Sequence, residues 1–152
     1  MLHRIGLLAL LLSVCIPAGA ASSPKPAKSK YLVTTGAGFT FAPDQGVRYG
    51  MSYMLRSFPL PDLYVVSIFE NPEDPGLPLQ VETKVEAGRN EFTLDSPFFR
   101  KIRNNSLYTV NLFIYADSSH TVLWGKHQQK VLFSIPRDMA SEAQRRFGVV
   151  VP

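Results

Sequence analysis

The chain has 152 residues, 16 Lys and Arg against 12 Asp and Glu for a formal charge of +4, 45% hydrophobic residues and one cysteine, Cys15. That length fits one domain with its own core. A lone cysteine excludes an intramolecular disulfide framework and cysteine-rich zinc or iron–sulfur sites.

At the amino end, His3 and Arg4 form a short basic segment, Ile5 to Ile16 an apolar run, and Pro17 precedes Ala18-Gly19-Ala20. This pattern predicts a signal peptide over 1–20 with cleavage after Ala20. The apolar run is shorter than the roughly 20 residues a spanning helix needs, so no transmembrane span is expected in the mature chain. Val14 stands where a lipobox needs a small residue, so Cys15 is expected to leave with the peptide rather than be lipidated. The expectation is export to the periplasm or beyond, leaving 15 basic against 12 acidic residues once Arg4 is lost. Residues 21–30 include SSPKPAKSK, with nothing apolar larger than Ala, and predict a flexible basic leader. Its lysines suit peripheral contact with an anionic surface.

From Tyr31 the period becomes two. Val47, Tyr49, Met51, Tyr53 and Leu55 alternate with Arg48, Gly50, Ser52, Met54 and Arg56, and Leu79, Val81, Thr83 and Val85 alternate with Gln80, Glu82, Lys84 and Glu86. LYVVSIF, Leu63 to Phe69, is apolar on both faces and predicts a central strand. YLVTT, FTF, EFTL and VLFSI supply further strands, bounded by turn sequences such as NPEDPG and EAGRN. The domain over 31–136 is therefore expected to be all-β, an antiparallel immunoglobulin-like β-sandwich of seven or eight strands.

In IRNNSLYTVNLFIYA, residues 102–116, Tyr108, Val110, Leu112 and Ile114 share one parity, and Ile102 lies across a polar corner from Tyr108. This stretch resembles the tyrosine corner of fibronectin type III and immunoglobulin-like domains, which implies a Tyr108 hydroxyl returning to backbone near the corner. There is no Cys pair, and Tyr64 or Val66 stands where antibody-type domains carry a core Trp. FTLDSPFFRKI, 92–102, resembles a step in the first domain of periplasmic pilus chaperones. That resemblance implies a folding factor as an alternative function.

Both histidines of the mature chain lie in HTVLWGKHQQKVLF, residues 120–133. With Asp117, His120 and His127 imitate a two-His, one-carboxylate metal site, which would make the chain a metal-dependent enzyme. Seven residues of strand span about 23 Å, so the expectation is two surface-strand histidines and no bound metal or other cofactor. Parity changes between Trp124 and Val131, which requires a bulge, and Gly125 is its natural seat. TTGAGFTF lacks the third glycine of a phosphate-binding loop, and no G-x-S-x-G occurs. Glu70, Glu73 and Asp74 lack the ligand order of a calcium loop, and Asn104-Asn105-Ser106 is a glycosylation sequon. Residues 44–95 hold nine acids and four bases, 100–146 eight bases and three acids. Export and the scatter of these bases argue against nucleic acid as a partner.

After Pro136 a short helix is expected over 137–148, with Asp138 as its cap, Met139, Ala143 and Phe147 on its buried face and Gly148 at its end. The apolar end is expected to add a strand to a sheet edge, here or in a partner, which makes Val149, Val150 and Val151 the partner-binding candidates in the 137–152 segment. The whole predicts an exported, non-catalytic binding or assembly module of the cell envelope that works through a protein partner.

Overall fold

The computed structural model describes residues 24–56 and 62–151; the expected signal peptide lies outside the described residues. Strict alternation in β2 (Gly46–Leu55) buries Val47, Tyr49, Met51, Tyr53 and Leu55 and turns Arg48, Gly50, Ser52 and Met54 outward. The same rule operates in β7 (Ser106–Tyr115), where Tyr108, Val110, Leu112 and Ile114 point inward. Around these run β1 (Leu32–Ala42), β3 (Leu63–Phe69), β4 (Leu79–Val85), β5 (Glu91–Asp95), β6 (Ile102–Arg103) and β8 (Leu123–Phe133), followed by α1 (Arg137–Phe147) and β9 (Val149–Val150).

Two antiparallel sheets enclose one core. One has the order β1-β2-β5, the other β4-β3-β7-β8. The chain changes sheet between β2 and β3, between β4 and β5, and again before β7, so connections of sandwich type bring the inward faces together. This is an all-β, antiparallel sandwich with one short C-terminal helix. Among the described residues no helix is long and apolar enough to cross a membrane.

Aromatic rings fill the crossing between the sheets. The Tyr49 ring stacks on Phe99 and on Tyr108, each with centroids 5.8 Å apart, and meets Phe69 edge-on at 5.4 Å. Its hydroxyl donates to the Glu70 carbonyl at 2.7 Å. The Tyr108 hydroxyl turns back to the corner, accepting from Arg103 N at 2.9 Å, and Ile102 is fully buried beside it. Asn104 ties the corner to the end of β8: its amide oxygen accepts from Ile135 N at 2.8 Å and its amide nitrogen donates to Ile135 O at 3.3 Å.

The carboxyl end departs from expectation in two ways. Pro136, not Asp138, occupies the helix N-cap, without a side-chain cap bond; Asp138 sits in the first turn, where a carboxylate favours the helix dipole. The buried stripe is Ala140 and Ala143 with Phe147 against Phe41 at 5.2 Å, while Met139 is exposed, because the helix packs on β2 and β9 through its small residues. Gly148 ends the helix at φ 69, and a Cβ there would strike the Arg100 carbonyl. This close approach delivers β9 alongside β6, in parallel, pairing Ile102 with Val149 and Arg103 with Val150. Asn104 N adds a bond to Val150 O at 2.8 Å. Val149 is 1% exposed, and Val150 and Val151 are 42% and 37% exposed. The tail's backbone thus pairs within the chain at Ile102 and Arg103, while Val150 and Val151 keep part of their side chains at the surface.

The described part of the leader is also docked rather than free. Thr34 N donates to Ala27 O at 3.0 Å, Lys28 bridges Val33, and Ala27 N donates to the side chain of Gln129 on β8. The bulge in β8 falls at Trp124, one residue before Gly125, since Ile114 pairs with Gly125 and Tyr115 with Leu123. Gly125 serves a different end: the Tyr31 ring lies over its bare Cα and stacks on Trp124 at 3.8 Å.

Because the Tyr108 hydroxyl satisfies a backbone donor and its ring fills the crossing, Tyr108→Phe should lower stability by about 1 kcal/mol and Tyr108→Ala by about 3 kcal/mol or more. Urea denaturation measures both, and an unchanged midpoint for Tyr108→Phe would refute the corner's role.

Candidate functional site

The three residues that imitated a metal site have separate duties. Asp117 closes the turn before β8: its carboxylate accepts from Thr121 N at 3.0 Å, Thr121 Oγ1 at 2.8 Å and Val122 N at 2.7 Å. The backbone donors of Thr121 and Val122 hold it below the usual carboxylate range. His120 takes a left-handed backbone, φ 55, packs on Tyr115 with ring centroids 4.9 Å apart, and brings Nε2 to 4.0 Å from Glu82. His127, expected at the surface, is 5% exposed. Its Nε2 lies 2.9 Å from Thr34 Oγ1 and its ring meets Tyr53 edge-on at 5.5 Å. Tyr115 and Glu82 face outward, so the β4-β3-β7-β8 sheet separates the two imidazoles, and the metal-enzyme alternative loses its geometry. Among the described residues no group of three His, Cys, Asp or Glu side chains could hold a metal ion. The burial of His127 had a signal in the sequence: it shares parity with Gln129, Val131 and Phe133, all inward.

The acids of the 70–76 loop are likewise committed to backbone. Glu70 accepts from Thr109 N at 2.9 Å, Glu73 from Lys101 N at 3.1 Å and from Arg100 N, and Asp74 from Gly76 N at 3.0 Å. Asn104 of the sequon is 6% exposed with its amide bonded to Ile135, so the folded chain does not offer it for modification.

What remains is the pair of outward faces. The face of β1-β2-β5 is a shallow surface of small residues, Gly36, Gly38, Gly50, Ser52 and Thr93, beside Asp95. The face of β4-β3-β7-β8 is different in kind. Register places Val66 between Glu82 and Phe113, and Phe113 beside Lys126. The next row toward one end runs Lys84, Tyr64, Tyr115; toward the other it runs Gln80, Ile68, Asn111, Gln128. Half-buried Tyr64, Ile68, Phe113 and Tyr115 thus surround Val66, itself 7% exposed, at the centre of an outer sheet surface, and exposed polar residues of the two edge strands frame it. The Lys126 ammonium lies 5.4 Å from the Phe113 ring centre, and His120 folds onto Tyr115 at one end.

Sequence reading passed over this surface. Its signal was present in LYVVSIF, apolar at both parities, but the partner residues Phe113 and Tyr115 join it only through the β3–β7 register.

No protein-family model and no curated protein matches the chain. Among solved structures, it is similar to Bacteroides uniformis β-glucuronidase and to a calcium-binding mutant of β-glucuronidase 2 from the same organism, at 13% identity and TM-scores of 0.38 and 0.39. Each match covers 68% of this chain and 13% of the other, so the chain spans a small part of the length of those enzymes.

Burial pushes the His127 ring below its ordinary 6.5 by disfavouring the charged form. The folded chain therefore takes up this proton at lower pH than the unfolded chain does. Stability is full above 6.5 and falls as the pH drops below it toward the lowered folded value. Melting temperatures between about pH 7 and about pH 5.5 should fall more steeply for the wild type than for His127→Leu. Parallel curves would contradict the burial of a neutral ring.

Proposed function

We propose that this chain is an exported, non-catalytic binding module of the cell envelope that works by protein–protein contact through the outer face of β4-β3-β7-β8. The export half of this reading rests on the basic, apolar and small-x-small pattern of residues 3–20. The binding half rests on one observation: half-buried Tyr64, Ile68, Phe113 and Tyr115 form a contiguous apolar centre around the buried Val66 on a face where a sandwich ordinarily meets water, and Gln80, Glu82, Lys84, Lys126 and Gln128 form its rim. An apolar, aromatic centre within a polar rim is the anatomy of a protein interface. Tyrosine and phenylalanine supply much contact area at small entropic cost, and β3 and β7, the two central strands, hold them rigidly. The resemblance to fibronectin type III and immunoglobulin-like domains agrees with a binding role, although such a fold alone fixes none.

The test is photo-cross-linking in the exporting cell. Benzoylphenylalanine placed at position 113 should yield a protein adduct in the envelope fraction, and the same probe at position 52, on the other outer face, should not. Adducts at position 52 and none at 113 would overturn the assignment of the face. Retention of the full-length chain in the cytoplasm would overturn export.

A further inference from the structure

We infer that the occupant of this face is a second copy of the same chain, packed sheet to sheet about a two-fold axis that runs parallel to the strands between β3 and β7. The inference rests on the reading of the face as an interface and adds the identity of the partner.

The charges on the central row decide it. Across the sheet the row reads Glu82 on edge strand β4, Val66 on β3, Phe113 on β7 and Lys126 on edge strand β8. An axis lying in the interface along the strands exchanges the two edges. Glu82 of each copy then lies over Lys126 of the other, so two opposite-charge pairs form, with Phe113 of each copy above the largely buried Val66 of the other. On the adjacent row the same operation brings Gln80 over Gln128, two amides that can donate and accept, and on the other side it brings Tyr64 over Tyr115. An axis across the strands through the central row would instead set Glu82 over Glu82 and Lys126 over Lys126. Like charges at close range cost free energy, so the charge pattern selects one two-fold arrangement and rejects the other.

An isologous contact needs a surface that complements itself under one rotation; here Glu82 meets Lys126, Gln80 meets Gln128 and Tyr64 meets Tyr115, while Ile68 meets Asn111 and Lys84 meets Leu123. The axis also keeps the strands of the two facing sheets nearly aligned, which is the favoured mode of sheet-on-sheet packing. The face also carries Lys130, outward on β8 beside Thr109, at the end remote from Lys84. Glu82 accepts from Gln80 at 2.9 Å and has His120 at 4.0 Å; Lys84 pairs with Asp62 at 2.9 Å; Lys126 has the Phe113 ring beneath it. Lys126 already lies over the face in the single chain, where its ammonium can meet an incoming carboxylate.

Charge exchange tests this directly, using sedimentation velocity on the mature chain over a concentration series. Wild type should show a monomer–dimer equilibrium. Glu82→Lys and Lys126→Glu, each turning two attractions into two repulsions, should each weaken dimerisation by about tenfold or more. The double variant restores opposite charges with the signs exchanged and should dimerise within about threefold of wild type. Both substitutions lie on the surface, and equal melting temperatures at low concentration verify that each of the three variants is folded. A wild-type chain that stays monomeric at every concentration would overturn the inference, as would single variants that dimerise like wild type or a folded double variant that fails to recover. A monomeric chain that still forms an adduct with another protein at position 113 would remove the second copy and leave the binding face standing; a monomeric chain with no adduct removes both.

Discussion

The fold depends on the Tyr49 ring being held at the point where the two sheets cross. Tyr49 comes from the three-stranded sheet, yet it is enclosed by Tyr108 and Phe69 from the other sheet and by Phe99 from the segment that links β5 to β6. Its hydroxyl bonds to the Glu70 carbonyl, and the Glu70 carboxylate in turn bonds to Thr109 N, the residue after Tyr108. Burial pushes the phenols of Tyr49 and Tyr108 above their ordinary value, Tyr49 the further of the two. Packing and hydrogen bonding thus meet in a closed loop: ring against ring, hydroxyl to carbonyl, carboxylate to amide. Apolar area supplies most of the stabilisation, and the polar links fix which arrangement of the rings is adopted.

The corner then governs the periphery. With Tyr108 bonded to Arg103, the segment Ile102–Arg103 is extended and presents an edge, and β9 docks there after Gly148 turns the chain under the Arg100 carbonyl. The apolar tail is a short internal strand, and the Ile102–Arg103 edge is covered. At the opposite end of the sequence, Gln129 does the same service for residues 25–28, holding them against β8 while Thr34 meets His127 inside. Both termini of the described chain are secured by contacts distant in sequence.

This explains what could be read in advance. Parity alone located the strands, the inward side of Tyr108 and the bulge near Gly125, because these follow from a local period of two. The corner was legible because Ile102 and Tyr108 stand six residues apart. Contacts set by register or by long-range docking were not legible. No local feature of VVVP says that Ile102 will pair with it, and no feature of PKPAK says that an inward Gln129 will bond its backbone. His127 was misjudged as a surface residue because a polar side chain in a charged stretch was weighed above the parity it shares with Val131 and Phe133. The candidate interface was half visible: β3 showed apolar residues on both sides, but the charged row appears only when β4, β3, β7 and β8 are set in register.

The proposed division of labour is that the inner faces hold the fold and the outer face of the four-stranded sheet is the contact between two copies. Hydroxyl-radical footprinting of the mature chain, read residue by residue at low and high concentration, measures this division directly. Tyr64, Phe113 and Tyr115 should lose reactivity as the chain is concentrated, while Tyr31 and Trp124, outside this face, keep theirs. Unchanged reactivity at all five residues, or protection at Tyr31 and Trp124 alone, would contradict it.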